Sequence, residues 1–486
     1  MGSIIFHLSV KETILQWAAY GSGGERVGSG EVPHQLPELE VKTINLLVDL
    51  QRSLIDSVAG WGDTQADLRA VIDEKTYDVV EVLGDHLYQA LFPEAILARL
   101  AELRKLITPG QLLRIELEFM DDVFASWPWE YLHSPESGGR FMALDTELVL
   151  TRALTFRNLS MRKLKTLQPV TVLLVISRPR GLDPVLADPL YDKIKELKNT
   201  NMVRLHELIE PEQDDFPDED YKPVASRANF EAKLTELVND TANEDEQPAI
   251  IHFVGHGRRL KRGKTSVGQL AFVGKDGKAD WMDDKDFADQ VARSRNLKLV
   301  FLQACESGMP DPQASVSGVA MQVASKSIPA IVAMQAKVEN NVATRFACQF
   351  YDTLKAGKPI DLAVKDGLKA IEDLGDRQKL AFAVPVLYLR SNDVDGLIDQ
   401  VKRSAVPSAN IIPGVSRQEP EQPVLTNCPR CGTAKRRPDQ KICTNCRLHF
   451  YCANCGHLLD DPLGNFCGEC ETIIEKYAWS PPDGNP

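Results

Sequence analysis

Five short runs of consecutive apolar residues constrain the fold of this chain more than any other feature. They are VTVLLVIS (170 to 177), AIIHFVGH (249 to 256), LKLVFLQA (297 to 304), IPAIVAM (328 to 334) and AVPVLYL (383 to 389). A strand with one wet face alternates apolar and polar side chains, whereas a strand covered on both faces is apolar at successive positions. The runs therefore predict an α/β domain over 168–392: a mostly parallel sheet flanked by helices. The text between them, including VATRFACQFYDTLKAG and IDLAVKDGLKAIEDL, has the length and period of the covering helices.

A chain of 486 residues exceeds one ordinary domain. The segment 1–165 combines a strand-like start, SIIFHLSV, with the helical-period text LGDHLYQALFPEAILARLAELRKL and the alternating LLRIELEF. It reads as an α+β accessory domain. Its SWPWEYLHSP segment gathers Trp127, Trp129 and Tyr131, an aromatic cluster expected to serve packing. The acidic, Pro-bearing stretch near 211–222 reads as a solvated loop, and whether it is cleaved is open. Residues 393–427, rich in Pro, Ser and Gln, read as a linker.

The net charge of −13 argues against a chain that coats nucleic acid along its whole length. No stretch approaches the roughly 18 apolar residues that span a bilayer, so no membrane partner is expected. Gly2 is followed by Phe6 where a myristoylation motif needs Ser or Thr. The start, MGSIIFHLSV, has no basic region ahead of a long apolar core, and the expected location is cytoplasmic.

Eight of the ten cysteines fall within 43 residues near the end of the chain. Cys428, Cys431, Cys443 and Cys446 form CxxC, eleven residues, CxxC, and Cys452, Cys455, Cys467 and Cys470 repeat it. Two tight CxxC turns supply four thiolates to a tetrahedral cage, so two zinc ribbons (428–446 and 452–470), each holding one structural Zn2+, are expected. Disulfides would need an oxidising compartment, and a redox CxxC would not be duplicated at equal spacing. His449 and His457 are not needed to complete either set. The first ribbon is basic, with Arg430, Lys435, Arg436, Arg437 and Lys441 against Asp439, and could take nucleic acid or an acidic protein surface. The second carries Asp460, Asp461 and Glu469.

Two strand ends carry the candidate chemistry. AIIHFVGH ends at His256 before Gly257, and LVFLQACESG presents Cys305 before Glu306, Ser307 and Gly308. Functional groups of parallel sheets gather beyond the carboxyl ends of the strands, so neighbouring strands would bring His256 and Cys305 to one site. His252 reads as a strand histidine with a partner, and Cys348, inside RFACQFY, as a packing thiol.

HFVGHG with LVFLQACESG, followed by IPAIVAMQAKVENNVATRFACQFYDTLKAGKPIDLAVKDG, resembles the CHAT family, caspase-like domains related to separases and widespread in bacteria. The resemblance covers about 168 to 392. LGDHLYQALFP, LLRIELEF and WPWEYLHSP resemble a region that often accompanies bacterial CHAT domains. The resemblance to the CHAT family implies a cysteine endopeptidase that cleaves protein substrates. Cys305 would be the nucleophile, His256 the acid–base partner, and the backbone N–H groups of Gly257 and Cys305 the oxyanion donors. Gln303 matches a caspase position lining the substrate pocket, and Arg178 is a second candidate there, with a structural role as its competing reading. Glu306 and Ser307 depart from the caspase pattern Q-A-C-[RQG]-G. Domains at both ends give a regulatory protein partner somewhere to act. The alternative is a catalytically silent scaffold or sensor whose ribbons bind a protein or nucleic acid.

Overall fold

The computed structural model describes residues 3–11, 13–21, 24–34, 36–58, 66–119, 122–134, 140–153, 166, 168–212, 221–239, 244–262, 265–306, 317–374 and 379–389. The eight tail cysteines, the linker and most of the acidic loop (213–220) lie outside them. The first half begins with an antiparallel run of β1 (Ser3–Lys11), β2 (Ile14–Tyr20) and β3 (Arg26–Pro33). Helices α1 (Glu38–Val58), α2 (Ala66–Leu91) and α3 (Glu94–Leu106) follow. Then come β4 (Leu112–Phe119), the short α4 (Asp122–Ala125), the small pair β5 (His133–Ser134) and β6 (Arg140–Phe141), and β7 (Leu148–Ala153).

The second half starts with β8 (Val170–Ile176), buried at every position, then α5 (Asp188–Asn199) and β9 (Val203–Ile209). α6 (Arg227–Asn239) leads to the long β10 (Ile250–Arg262), and β11 (Thr265–Val273) and β12 (Ala279–Asp283) fold back antiparallel from it. α7 (Asp284–Val291), β13 (Leu299–Glu306), α8 (Ser317–Ala324) and β14 (Ala330–Met334) come next. α9 (Asn340–Lys355), α10 (Ile360–Glu372) and β15 (Pro385–Leu389) close the described chain.

Four of the five apolar runs become the parallel strands β8, β10, β13 and β14. The fifth, β15, is antiparallel to β14, so the sheet is mixed. The reason is the connection. One helix would return the chain to the starting end of the sheet and give a parallel strand, whereas the α9–α10 hairpin crosses twice and delivers β15 from the opposite end. Strands β9, β11 and β12 escape an apolar-run criterion because polar residues such as His206, Gln269 and Asp280 interrupt them.

Both faces of this sheet are covered. Leu190 and Ile194 of α5, Phe346 and Phe350 of α9 and Ala363 and Val364 of α10 pack on the face of Val254 and Phe301. Phe230 of α6, Phe287 of α7 and Val323 of α8 pack on the face of Phe253 and Leu302. α9 and α10 meet closely at Gly367, where a Cβ would fall 2.6 Å from the Phe346 ring. Glycine there lets two amphipathic helices share one face.

The sheet does not stop near residue 166. β15 pairs with β7, β7 with β4, and β4 with β1, all parallel, so thirteen described strands form one sheet and residues 1–402 one compact unit. α2 and α3 cover the apolar face of β1 and β4 through Leu83, Leu87, Ile96 and Leu100. One buried ion pair joins the halves directly, and a second joins them through its hydrogen bonds to Gln335. Arg114 on β4 pairs with Asp361 on α10. Arg152 on β7 holds Glu130 at 2.9 and 2.6 Å, and both contact Gln335, which follows β14. Trp127, Trp129 and Tyr131 around Glu130 are buried, as packing residues should be.

Candidate active site at a fork in the sheet

Strand β10 changes partner along its length. From Ile250 to Val254 it lies between β8 and β13, and from Gly257 onward β11 takes the place of β8. His256 falls in the gap between these partners. Its Cα is in register with that of Cys305 on β13, and Gly257 is in register with Glu306. Directly opposed positions on neighbouring strands share a face of the pleat, so the two residues singled out in the sequence occupy one face at the carboxyl ends of the strands.

The gap beside His256 is closed by the loop that leaves β8. His256 is 7% exposed, and its Nε2 donates to the carbonyl oxygen of Asp183 at 2.8 Å. That bond requires the proton on Nε2, so the neutral ring keeps its lone pair on Nδ1. Burial lowers the imidazole pKa below its ordinary value. The Asp183 carbonyl and carboxylate push it back up, and Lys337, 3.8 Å from that carboxylate, pushes it down again. The ring is thus biased toward the neutral form, as a base needs.

The loop is gripped from three sides. Arg178 donates from Nε to Val185 O at 3.0 Å, from Nη1 to Glu210 O at 2.8 Å and from Nη2 to Asp188 at 3.1 Å. Asn340 holds Pro184 O at 2.9 Å, and Thr344 holds Leu186 O at 3.2 Å. In this structure the Arg178 guanidinium is engaged with its own loop, the structural role that competed with its pocket candidacy.

Gln303 lies in register with Val254, two positions before Cys305 on the same face, and is 4% exposed. Behind it, His252 is fully buried, its ring stacked 4.1 Å from Phe301 and its Nδ1 3.1 Å from the Tyr351 hydroxyl. Burial pushes its pKa down to about 3, against a weak upward pull from the Gln303 amide. That amide acts on the ring without closing a full hydrogen bond, for neither His252 Nε2 nor Gln303 Oε1 has a partner at bonding geometry. His252 is therefore a neutral packing residue with a partner, and the titrating member of the pair is His256. Cys348 is half-buried on α9, with Sγ 3.6 Å from Pro189 O, and burial raises its thiol pKa. A buried, protonated thiol is a poor nucleophile.

The CHAT domain family model matches residues 81–381, well over half of the chain. The chain belongs to the CHAT family. The match begins inside α2, so this CHAT domain takes in the WPWEY segment and β4 as well as the strands around His256 and Cys305. No curated protein matches the sequence. Two structures of the Saccharomyces cerevisiae separase–securin complex are similar at 9% and 10% identity, with TM-scores of 0.44 and 0.42. The similarity covers 79% of the present chain and 30% of that chain, so the CHAT protein spans about a third of the partner structure's length. A protein from Geobacter sulfurreducens is similar at 12% identity and a TM-score of 0.29, over 46% of this chain and 94% of that one.

Sequence reasoning missed the loop that seats His256. Asp183 contributes a backbone carbonyl, which leaves no mark on residue type. Asn340 and Thr344 sit at the start of α9, where polar residues carry no signal of a particular partner. Among the described residues no group of three or more His, Cys, Asp or Glu could hold a metal, and no helix is long and apolar enough to cross a membrane.

Proposed function

We propose that this protein is a caspase-like cysteine endopeptidase in which Cys305 is the nucleophile and His256 its acid–base partner. The observation that carries the reading is the register of His256 against Cys305, joined to the Asp183 carbonyl that holds the histidine as its Nε2–H tautomer. The lone pair at Nδ1 is then the one available to take the thiol proton.

In the proposed reaction the Cys305 thiolate adds to the scissile carbonyl carbon, and His256 gives its proton to the leaving amine as the C–N bond breaks. A thioester remains. Water then adds to it, losing a proton to His256, and the C–S bond breaks to release the acid and restore the thiolate. The N–H groups of Gly257 and Cys305 would stabilise the oxyanion in both halves, as the family resemblance implies. Gln303, on the same face, is the proposed floor of the substrate pocket.

Regulation by a protein partner belongs to the same reading. Its support is the buried Glu130–Arg152–Gln335 link, which ties the accessory half to the segment carrying Lys337 and Asn340. The tail is proposed to hold two Zn2+ ions on its eight cysteines, with a structural role because a four-thiolate site has no open position. Elemental analysis of reduced protein should find about two zinc ions per chain, and iron or no metal would overturn that part.

The peptidase reading is tested by labelling purified, reduced protein with a peptide-like electrophile and locating the adduct by mass spectrometry. Selective modification of Cys305 that is lost in His256→Ala supports it. Labelling of Cys305 at the same rate without His256 would sink the dyad.

A further inference from the structure

Two residues beyond His256 on the same strand, Arg258 is seated in a way that leaves its terminal nitrogens open among the described residues. Positions i and i+2 of a strand share a face and lie about 7 Å apart, so Arg258 follows His256 along the face of the site. Its Nε donates to Gln269 Oε1 at 2.7 Å, and its guanidinium carbon stands 3.9 Å from the centre of the Trp281 ring.

The seat is itself built. Gln269, on β11, is in register with Arg258 on β10 and with Asp283 on β12, so all three share that face. Gln269 is 4% exposed and donates from Nε2 to Asp283 at 2.6 Å. An amide that gives its NH2 to a carboxylate must turn its oxygen the other way, toward Arg258. The indole sets the plane of the guanidinium and the amide sets its rotation.

Among the described residues no oxygen takes the terminal nitrogens Nη1 and Nη2. The contrast with Arg178, whose Nε, Nη1 and Nη2 are taken by Val185, Glu210 and Asp188, is direct. A planar guanidinium fixed through Nε and through its face, with its terminal N–H groups free, is the geometry that receives a carboxylate.

We propose that Arg258 is a specificity-determining residue that binds an acidic side chain of the substrate, on the leaving-group side of the cut. The proposal rests on the Cys305/His256 peptidase reading. His256 hands its proton to the departing amine, so the residues after the scissile bond lie on the His256 side of Cys305. Arg258 belongs to the strand of His256. An Asp or Glu within about three residues after the cut would reach it.

The test uses the full chain and a mixture of peptides from a digested proteome, with cut sites read by mass spectrometry for wild type, Arg258→Gln and Arg258→Glu. Wild type should enrich Asp and Glu after the cut, Arg258→Gln should lose that enrichment, and Arg258→Glu should shift it toward Lys and Arg. On a matched pair of quenched peptides, Glu against Gln at the enriched position, Arg258→Gln should lower kcat/KM at least about tenfold for the acidic peptide only. Cutting that depends on Cys305 but shows no acidic enrichment, or enrichment that survives in Arg258→Gln, overturns the proposal and leaves the peptidase reading standing. If nothing is cut, the peptidase reading fails and binding decides. The anisotropy of fluorescein-labelled Ala-Glu-Glu-Ala and Ala-Gln-Gln-Ala peptides is then followed with Cys305→Ala protein. Tighter binding of the acidic peptide that disappears on adding Arg258→Gln supports carboxylate recognition, and equal binding of the two peptides overturns it.

Discussion

His256 Nε2 lies 2.8 Å from the carbonyl oxygen of Asp183, a residue 73 positions earlier in the chain. The contact joins the strand end of β10 to the loop after β8, two segments that meet only because β8 stops at Ile176 and leaves β10 uncovered for two residues. A main-chain oxygen cannot be altered by substitution at its own position. What the sequence can vary is the grip on the loop that carries it, supplied by Arg178, Asn340 and Thr344.

Arg178→Met keeps the apolar stem and removes the bonds to Val185, Glu210 and Asp188. We expect a stability loss of about 1–3 kcal/mol and a fall in kcat of about tenfold or more with KM little changed, because the loop loosens and His256 loses its orientation. Steady-state kinetics on a Cys305-dependent peptide substrate and denaturant unfolding check this. A rise in KM alone would instead make Arg178 a substrate-pocket residue.

Lys337 and the Asp183 carboxylate pull the His256 pKa in opposite directions. Removing the lysine charge in Lys337→Met favours the imidazolium, so the histidine should protonate at higher pH and the acid limb of kcat/KM against pH should move up. Asp183→Asn removes a carboxylate that favours the imidazolium, so its acid limb should move down. Both groups are partly or largely exposed, which screens their charge and keeps the shifts small. Shifts of the same sign in the two variants would mean that another group governs the limb.

How much of this was legible in the sequence follows from which forces act locally. Val170–Ile176 and Leu299–Leu302 announce a doubly covered sheet because burial on both faces demands apolar residues at every position. His256 and Cys305 stand out as strand-end residues, yet their register depends on β10 and β13 being neighbours, which is a fact of topology. Strands such as β11 were hidden because Gln269 serves Arg258 and Asp283 rather than a core. The antiparallel β15 was hidden because its residues are as apolar as those of a parallel strand, and only the two-helix connection reverses it. The continuity of β7 with β15 left no mark either, since the linking ion pair Arg152–Glu130 reads as two ordinary surface charges.

Glu130→Gln tests that link. Arg152 and Glu130 are almost fully buried, with side-chain exposures of 4% and 8%, so neutralising one leaves the other charge without compensation in a poorly solvated place. We expect a loss of about 3–5 kcal/mol for Glu130→Gln. Gln335→Ala removes hydrogen bonds to Arg152, to Glu130 and to the Ala383 carbonyl and should cost about 1–3 kcal/mol. A double-mutant cycle should show the two effects to be less than additive, since both residues engage Arg152. Full additivity would mean that the three do not act as one network.

His7 offers the clearest dependence of stability on pH. It stands opposite Glu116 in the parallel register of β1 and β4, and its two ring nitrogens reach Glu116 at 3.4 Å and Glu118 at 3.3 Å. Both carboxylates are buried on one face, so they need the imidazolium between them. Burial by itself would lower the His7 pKa, but the hydrogen bonds and charges of the two glutamates outweigh it and raise it to about 9. In the unfolded chain the value is near 6.5. The folded state therefore binds the proton more tightly, and the stabilisation is complete below about pH 6.5 and disappears as pH rises through about 9. His7→Gln should cost about 2–4 kcal/mol at pH 6 and much less at pH 9.5, where wild type has lost its own contribution. Denaturant unfolding of both proteins at several pH values between these limits checks the prediction. Parallel profiles for wild type and variant would show that His7 is not the group whose proton is linked to folding.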